Sequence, residues 1–237
     1  MSLTVSIVTP TLNEEQFIAR HIASAAEHQP LEHIISDGGS EDATVRLAQA
    51  AGARVISAKR GRGPQLQAGA EAARGDVLLF LHADTILPQA ALEHIRTALS
   101  DGKQDSGCFR LRFDRSGRLL GLYAWATQFD TRFTTFGDQA MFATRAAFKA
   151  SGGFPDWPLL EDLALRQRLR GTGCFRKLHA AVTTSARRFE KHGVIQTQLR
   201  NASILGLYGL GVHPETLARW YLPHRVCRDK DEPITPW

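Results

Sequence analysis

Gly75-Asp76-Val77-Leu78-Leu79-Phe80-Leu81-His82-Ala83-Asp84-Thr85 is the stretch that decides the fold. Val77 to Leu81 form an apolar run without alternation, which suits a strand buried on both faces. Such strands belong to parallel sheets covered by helices, where ligands bind beyond the carboxyl ends of the strands. His82 and Asp84 stand at that end. A lone buried carboxylate is costly, so Asp84 is expected to face a metal, a ligand hydroxyl or a cation. A helix N-cap is the plainer alternative, since Asp and Thr favour that position and Pro88 can open a helix.

Working outward, the flanking segments alternate between strand and helix. Residues 3–9 are largely β-branched and predict a first strand that Pro10 stops. Asn13 is placed to cap a helix over 14–28, with Glu14 and Glu15 in its first turn. A strand at 33–36 runs into the turn Asp37-Gly38-Gly39-Ser40, followed by a helix over 41–51 and a strand at 53–57. A helix over 64–74 precedes the central run, and one over 88–99 follows it. This order predicts an α/β fold, a Rossmann-like, mostly parallel sheet flanked by helices. The second half reads as smaller and mixed. It has strands at 108–113 and 139–143, an apolar helix near 119–130, and helices over 159–171 and 193–209. No repeat or low-complexity linker intervenes, so 1–225 read as one domain. Residues 226–237 form a polar, proline-containing tail expected to be poorly ordered.

Composition narrows the function classes. Hydrophobic content of 43% and charge of 22% suit a globular chain with a sizeable core. The net charge is +5, with basic clusters at Lys59, Arg60 and Arg62, at Arg187, Arg188 and Lys191, and near the C-terminus. The first two suggest local anion sites; a nucleic-acid face needs a broader stripe with stacking aromatics. Cys108, Cys174 and Cys227 form no C-x-x-C pair, which argues against a disulfide framework or a zinc site. A reducing, cytoplasmic setting is expected. No segment has the form of a signal peptide, and none approaches the roughly 18 apolar residues of a spanning helix.

Four segments carry chemistry. Pro10-Thr11-Leu12-Asn13-Glu14-Glu15 ends the first strand, where backbone groups and a helix N-terminus can meet a ligand. An ordinary strand–helix turn has the same composition. In Ser36-Asp37-Gly38-Gly39-Ser40 the glycines permit close approach, and Asp37 can accept from a base N–H or a ribose hydroxyl. An Asx turn is its simpler reading. The segment is not G-x-G-x-x-G, so a dinucleotide fingerprint is missing. Lys59-Arg60-Gly61-Arg62-Gly63-Pro64 sets cations before a helix, suited to phosphate or ribose, or to a solvated loop. Glu161-Asp162 follow the loop Gly152-Gly153-Phe154-Pro155-Asp156-Trp157-Pro158. They suit a general base, or merely a helix dipole.

In their order and spacing these motifs resemble the family 2 glycosyltransferases, over roughly residues 3–170. The set is P-T-L-N-E-E, S-D-G-G-S-E-D-A-T, R-G-x-G-P-Q-L with G-D-x-L-L-F-L-H-A-D-T, then G-G-F-P and E-D. It looks closest to small bacterial members with an H-A-D motif and a late A-R-R-F-E-K-H-G segment. The resemblance implies a GT-A fold, with about 1–100 as the nucleotide-binding half and 101–225 as the acceptor and catalytic half. It also implies inverting transfer from a nucleotide-sugar, usually with Mg²⁺ or Mn²⁺. Carried over by position, Pro10, Thr11, Asn13 and Glu14 border the nucleotide and Asp37 holds the base. Arg60 or Arg62 lies near the nucleotide, and His82-Ala83-Asp84 matches D-x-D with Asp84 facing the metal. Asp162 is the base and Glu161 its supporting carboxylate. Arg187, Arg188 or His192 would help offset leaving-group charge, with His192 a further candidate metal ligand.

The departure is His82, where the family commonly has Asp. An imidazole still binds a divalent metal or a ribose hydroxyl, but one anionic ligand is lost, which matters most for hard Mg²⁺. The processive signature Q-x-x-R-W is absent, favouring single-sugar transfer to a small-molecule, lipid or protein acceptor. Ile204–Leu210, with Trp220 and Tyr221, suits helix packing, contact with a membrane surface, or a partner subunit such as a second copy. Two other readings stay open: a nucleotidyltransferase, and a nucleotide-sugar-binding protein without catalysis.

Overall fold

The computed structural model describes residues 2–131, 134–186 and 193–221. Strands β1 (Val5–Thr11), β2 (Glu32–Asp37), β3 (Arg54–Ser57) and β4 (Val77–Phe80) are linked by helices α1 (Ile18–Ala26), α2 (Thr44–Ala50) and α3 (Arg62–Ala72). The chain continues through β5 (Thr85–Ile86), α4 (Ala91–Leu99), β6 (Ser106–Phe113), α5 (Arg118–Ala126) and a 3₁₀ turn at Gly137–Gln139. It then forms β7 (Phe142–Thr144), α6 (Arg145–Ser151), α7 (Glu161–Thr172), β8 (Phe175–Thr184), α8 (Val194–Gly209) and α9 (Pro214–Tyr221). The strands form one sheet in the order β3-β2-β1-β4-β7-β6-β8-β5. β1 to β4 pair in parallel, β7 runs antiparallel to both β4 and β6, and β8 pairs parallel to β6. This is the α/β sheet the sequence predicts, with its mixed half on the far side of β4.

The apolar run of β4 is buried along its whole length, as its lack of alternation requires. Its even and odd residues feed separate cores. Leu78 and Phe80 join Val8, Ile34 and Leu66 on one face, whereas Val77 and Leu79 join Ile7, Ile95 and Phe142 on the other.

Local structure departs from expectation in several places. Pro10 does not end β1, because Leu81 N–H reaches the Val8 carbonyl on the β4 side while Gly38 N–H reaches the Thr11 carbonyl on the β2 side. Alternation turns the Pro10 nitrogen toward β4, past the last paired residue, where no donor is missing. Asn13 does not cap α1 either. It adopts φ 54°, donates its N–H to Ser40 Oγ at 2.9 Å and accepts Glu41 N–H at 2.9 Å. Glu14 N–H bonds Thr44 Oγ1 at 2.7 Å, so residues 13–14 are held against the 40–44 loop and α1 starts only at Ile18. β8 is an unexpected strand because Arg176, Lys177 and His179 break its apolar pattern. Lys177 Nζ is nevertheless spent on the carbonyls of Thr127, Phe129 and Thr134 at 2.7–3.1 Å. α6 and α9 are further helices the pattern does not announce. Cys108 is a buried free thiol and Cys174 a partly buried one.

Under the β1–β2 pair, Thr9 Oγ1 lies within hydrogen-bond distance of both rings, 3.1 Å from His21 Nε2 and 2.9 Å from His33 Nε2. Burial lowers the His21 pKa to about 4 and that of His33 to about 3. The unfolded chain, with ordinary values near 6.5, therefore binds these protons more readily. Their contribution to stability is whole above pH 6.5 and drains as pH falls toward 4. Urea unfolding should show a loss of roughly 2–4 kcal/mol between pH 7.5 and 5. In a His21→Gln, His33→Gln double variant most of that slope should vanish; an undiminished slope would clear the pair of the effect.

Candidate active site at the carboxyl ends of β1 and β4

From β1 the chain steps outward to β2 and β3, then returns to place β4 on the other flank of β1. The reversal opens a crevice beyond the carboxyl ends of β1 and β4. Thr11, Asn13 and Asp37 reach this edge from one side, and His82, Ala83 and Asp84 from the other.

The β1–β2 side is tightly bonded. Asp37 is buried and forms an Asx turn, accepting Gly39 N–H and Ser40 N–H at 2.9 Å each and Ser40 Oγ–H at 2.5 Å. Thr11 Oγ1 approaches the same carboxylate at 3.5 Å. Behind them Gln65, 1% exposed, donates from Nε2 to the Thr11 and Ser36 carbonyls at 2.7 Å each. Its Oε1 accepts Gly61 N–H at 3.3 Å. The R-G-x-G-P-Q-L stretch contains Gln65 but gives it no role; the signal available was a glutamine on the apolar, sheet-facing side of a helix, beside Leu66, Gly69 and Ala70.

Across the crevice, Asp84 is exposed, and its Oδ1 takes a 3.3 Å bond from Thr85 Oγ1. His82 is half-buried. A Cβ built on Gly137 would lie 3.3 Å from His82 Nε2, 3.1 Å from Asp162 Oδ2 and 2.9 Å from Asp162 Cβ, so Gly137 keeps open the space both side chains border. Gly137 N–H donates to Asp162 Oδ2 at 2.6 Å, and Leu163 N–H reaches Asp162 Oδ1 at 2.8 Å. The 3₁₀ turn thus fixes the carboxylate from outside its own helix. Gly137, too, escapes sequence reasoning, since its partner is 25 residues away.

Glu161, fully buried at 0% exposure, forms a 2.6 Å ion pair with Arg62 Nε. Burial pushes the Glu161 carboxyl up, and Arg62 opposes this only in part. Burial would lower Arg62, but Glu161 and Asp162 outweigh it and hold the guanidinium above its usual range. The fit is close: a Cβ on Gly63 would sit 2.5 Å from the Pro155 carbonyl and 3.3 Å from Glu161 Cβ. Arg62 therefore points to Glu161, while Arg60 is exposed on the preceding loop. Pro10 and Glu14 border the β1 end half-buried. Arg187, Arg188 and His192 lie outside the described residues. Among the described residues no three His, Cys, Asp or Glu side chains are gathered as a metal cluster.

The family model described as glycosyl transferase family 2 matches residues 6–152, more than half of the chain. The chain belongs to that family.

This glycosyltransferase is 38% identical over 100 residues to glucosyl-3-phosphoglycerate synthase of Mycolicibacterium paratuberculosis, a match covering 36% of the chain and 30% of that relative. It spans less than a third of the length of the curated relatives it matches. In three dimensions it is similar to the Mycobacterium tuberculosis glucosyl-3-phosphoglycerate synthase solved with Mn²⁺, UDP-glucose and phosphoglyceric acid. That likeness has a TM-score of 0.63 at 22% identity and covers 89% of this chain and 81% of the other. It is also similar to S. aureus TarS 1-349 in complex with UDP-GlcNAc, with a TM-score of 0.63, 16% identity and coverage of 77% and 58%. Both likenesses place the sheet among GT-A folds. No described helix is long and apolar enough to cross a membrane.

In this glycosyltransferase Arg62→Ala strands the Glu161 charge in the interior and should cost about 3–5 kcal/mol in urea unfolding. Arg62→Met combined with Glu161→Leu should recover most of it, because an apolar pair needs no counter-charge. A loss below about 1 kcal/mol in Arg62→Ala would mean that the ion pair does not hold the two helices.

Proposed function

We propose that the chain transfers one sugar, with inversion, from a nucleotide-diphosphate sugar to an acceptor hydroxyl, with Asp162 as general base. The observation that carries this reading is the fixed Asp162 carboxylate, bonded by Gly137 N–H and bordering the crevice that His82 also lines. A carboxylate has about four lone-pair sites, and two are taken by Gly137 and Leu163. Capacity remains for the acceptor hydroxyl. Its proton passes to Asp162 while its oxygen attacks the anomeric carbon, and the nucleoside diphosphate leaves from the opposite face. Glu161, neutralised by Arg62, holds the start of α7 in place for this transfer.

On the donor side, Pro10, Thr11, Asn13, Glu14 and Asp37 would line the nucleoside, with Arg60 reaching toward its ribose or phosphates. The ligands named for the solved relatives support UDP-sugars and Mn²⁺ here. The available metal donors are the exposed Asp84 carboxylate and the His82 imidazole. One oxygen and one nitrogen donor suit Mn²⁺ better than Mg²⁺ and leave coordination positions for donor phosphates. When bound, such an ion offsets charge growing on the leaving diphosphate. Arg187, Arg188 and His192 are further candidates for that task. The mycobacterial relatives make UDP-glucose and 3-phosphoglycerate the first pair to assay, ahead of lipid or protein acceptors.

Asp162→Asn should lower donor turnover by about 10²–10⁴-fold, with UDP affinity by calorimetry kept within about threefold. Turnover equal to that of the parent would remove Asp162 as base. Chelation should reduce turnover, and Mn²⁺ should restore it more fully than Mg²⁺; an unchanged rate in chelator would remove the metal from the scheme.

A further inference from the structure

We propose that Gln65 is a positioning residue that sets donor affinity, by holding the three donor-facing segments at the spacing a nucleotide requires. This rests on the donor site proposed above. Gln65 lies in the first turns of α3, on the face packed against β1 and β2, where an apolar side chain would satisfy packing alone. It is buried, and all its polar capacity is directed at backbone. One nitrogen spans the Thr11 and Ser36 carbonyls at 2.7 Å each, and the oxygen takes Gly61 N–H.

These anchors sit where the donor-facing segments begin. Thr11 leads into Leu12–Glu15, Ser36 immediately precedes Asp37, and Gly61 lies between Arg60 and Arg62. The Thr11 carbonyl also accepts Gly38 N–H at 3.0 Å, and a Cβ on Gly38 would come within 3.0 Å of the Gln65 amide atoms. The S-D-G-G turn therefore rests directly on the carboxamide.

Only a primary amide of this length supplies two donors and one acceptor without charge. Glutamate keeps the acceptor and sets anionic oxygens against two carbonyls, whereas lysine buries a cation. Gln65 makes no hydrogen bond to Glu161 or Asp162; Arg62, earlier on the same helix, carries that connection. The division within α3 separates donor affinity, set by Gln65, from placement of the base, set through Arg62.

The test compares wild type with Gln65→Met, which keeps length without polarity, and Gln65→Glu, which keeps only the acceptor. UDP binding with Mn²⁺ is measured by calorimetry, UDP-glucose turnover gives kcat and KM, and hydrogen exchange follows the Gly38 and Gly61 amides. Both variants should raise the UDP Kd and donor KM about 10–100-fold and leave kcat within about threefold. Exchange at Gly38 and Gly61 should accelerate. Ile34→Val, a mild core destabilisation elsewhere on β2, should leave Kd unchanged and so separates positioning from general loss of stability. Wild-type affinity in both variants, or a fall in kcat at unchanged KM, would overturn the proposal. Failure of the wild type to bind UDP would overturn the donor-site reading instead. Exchange in the variants would then decide the clamp alone, and unchanged rates at Gly38 and Gly61 would refute it.

Discussion

A carboxylate with no exposure needs a cation, and Glu161 finds one on another helix. The 2.6 Å contact to Arg62 joins the first turn of α3, which belongs to the parallel half of the sheet, to the first turn of α7, which carries Asp162. Taking two charges out of water is costly, and an apolar pair could weld the helices at least as well. The ion pair adds direction: it fixes how α7 begins, and with it where Asp162 meets the Gly137 N–H. Gly63, pressed against the Pro155 carbonyl, leaves the helices no slack at this junction.

The parallel half of the sheet was legible because β1, β2 and β4 are buried on both faces and the loops carry Gly, Pro and Asp. The mixed half was less so. β8 hides its strand character behind Arg176, Lys177 and His179, and β5 is only Thr85–Ile86, paired to Thr184 and Thr183. The candidate site divides the same way. Its strand-end and helix-start carboxylates announce themselves by local context. Gln65, Gly137 and the partner of Arg62 do not, because their contacts span tens of residues and exist only once the sheet has formed. Asn13 shows the limit of local rules, since the 40–44 loop bonds residues that capping logic assigns to α1.

In the sequence resemblance, His82 is the position where H-A-D departs from D-x-D. Its Nε2 and Asp162 Oδ2 both border Gly137. An aspartate at 82 would set a second carboxylate toward the first, and like charges in a partly enclosed site repel. The imidazole avoids that repulsion, and on the proposed reading the metal has one anionic ligand fewer. On the proposed reading Asp84 is the exposed carboxylate of the motif, and the donor phosphates would complete the coordination.

The central claim is that an acceptor oxygen, deprotonated by Asp162, attacks the anomeric carbon on the face opposite the diphosphate. Proton NMR of the anomeric signal during turnover of α-linked UDP-glucose tests it most directly. The account predicts a newly formed product of β configuration before any mutarotation. A product formed with the α configuration retained would contradict a single displacement by an Asp162-activated hydroxyl.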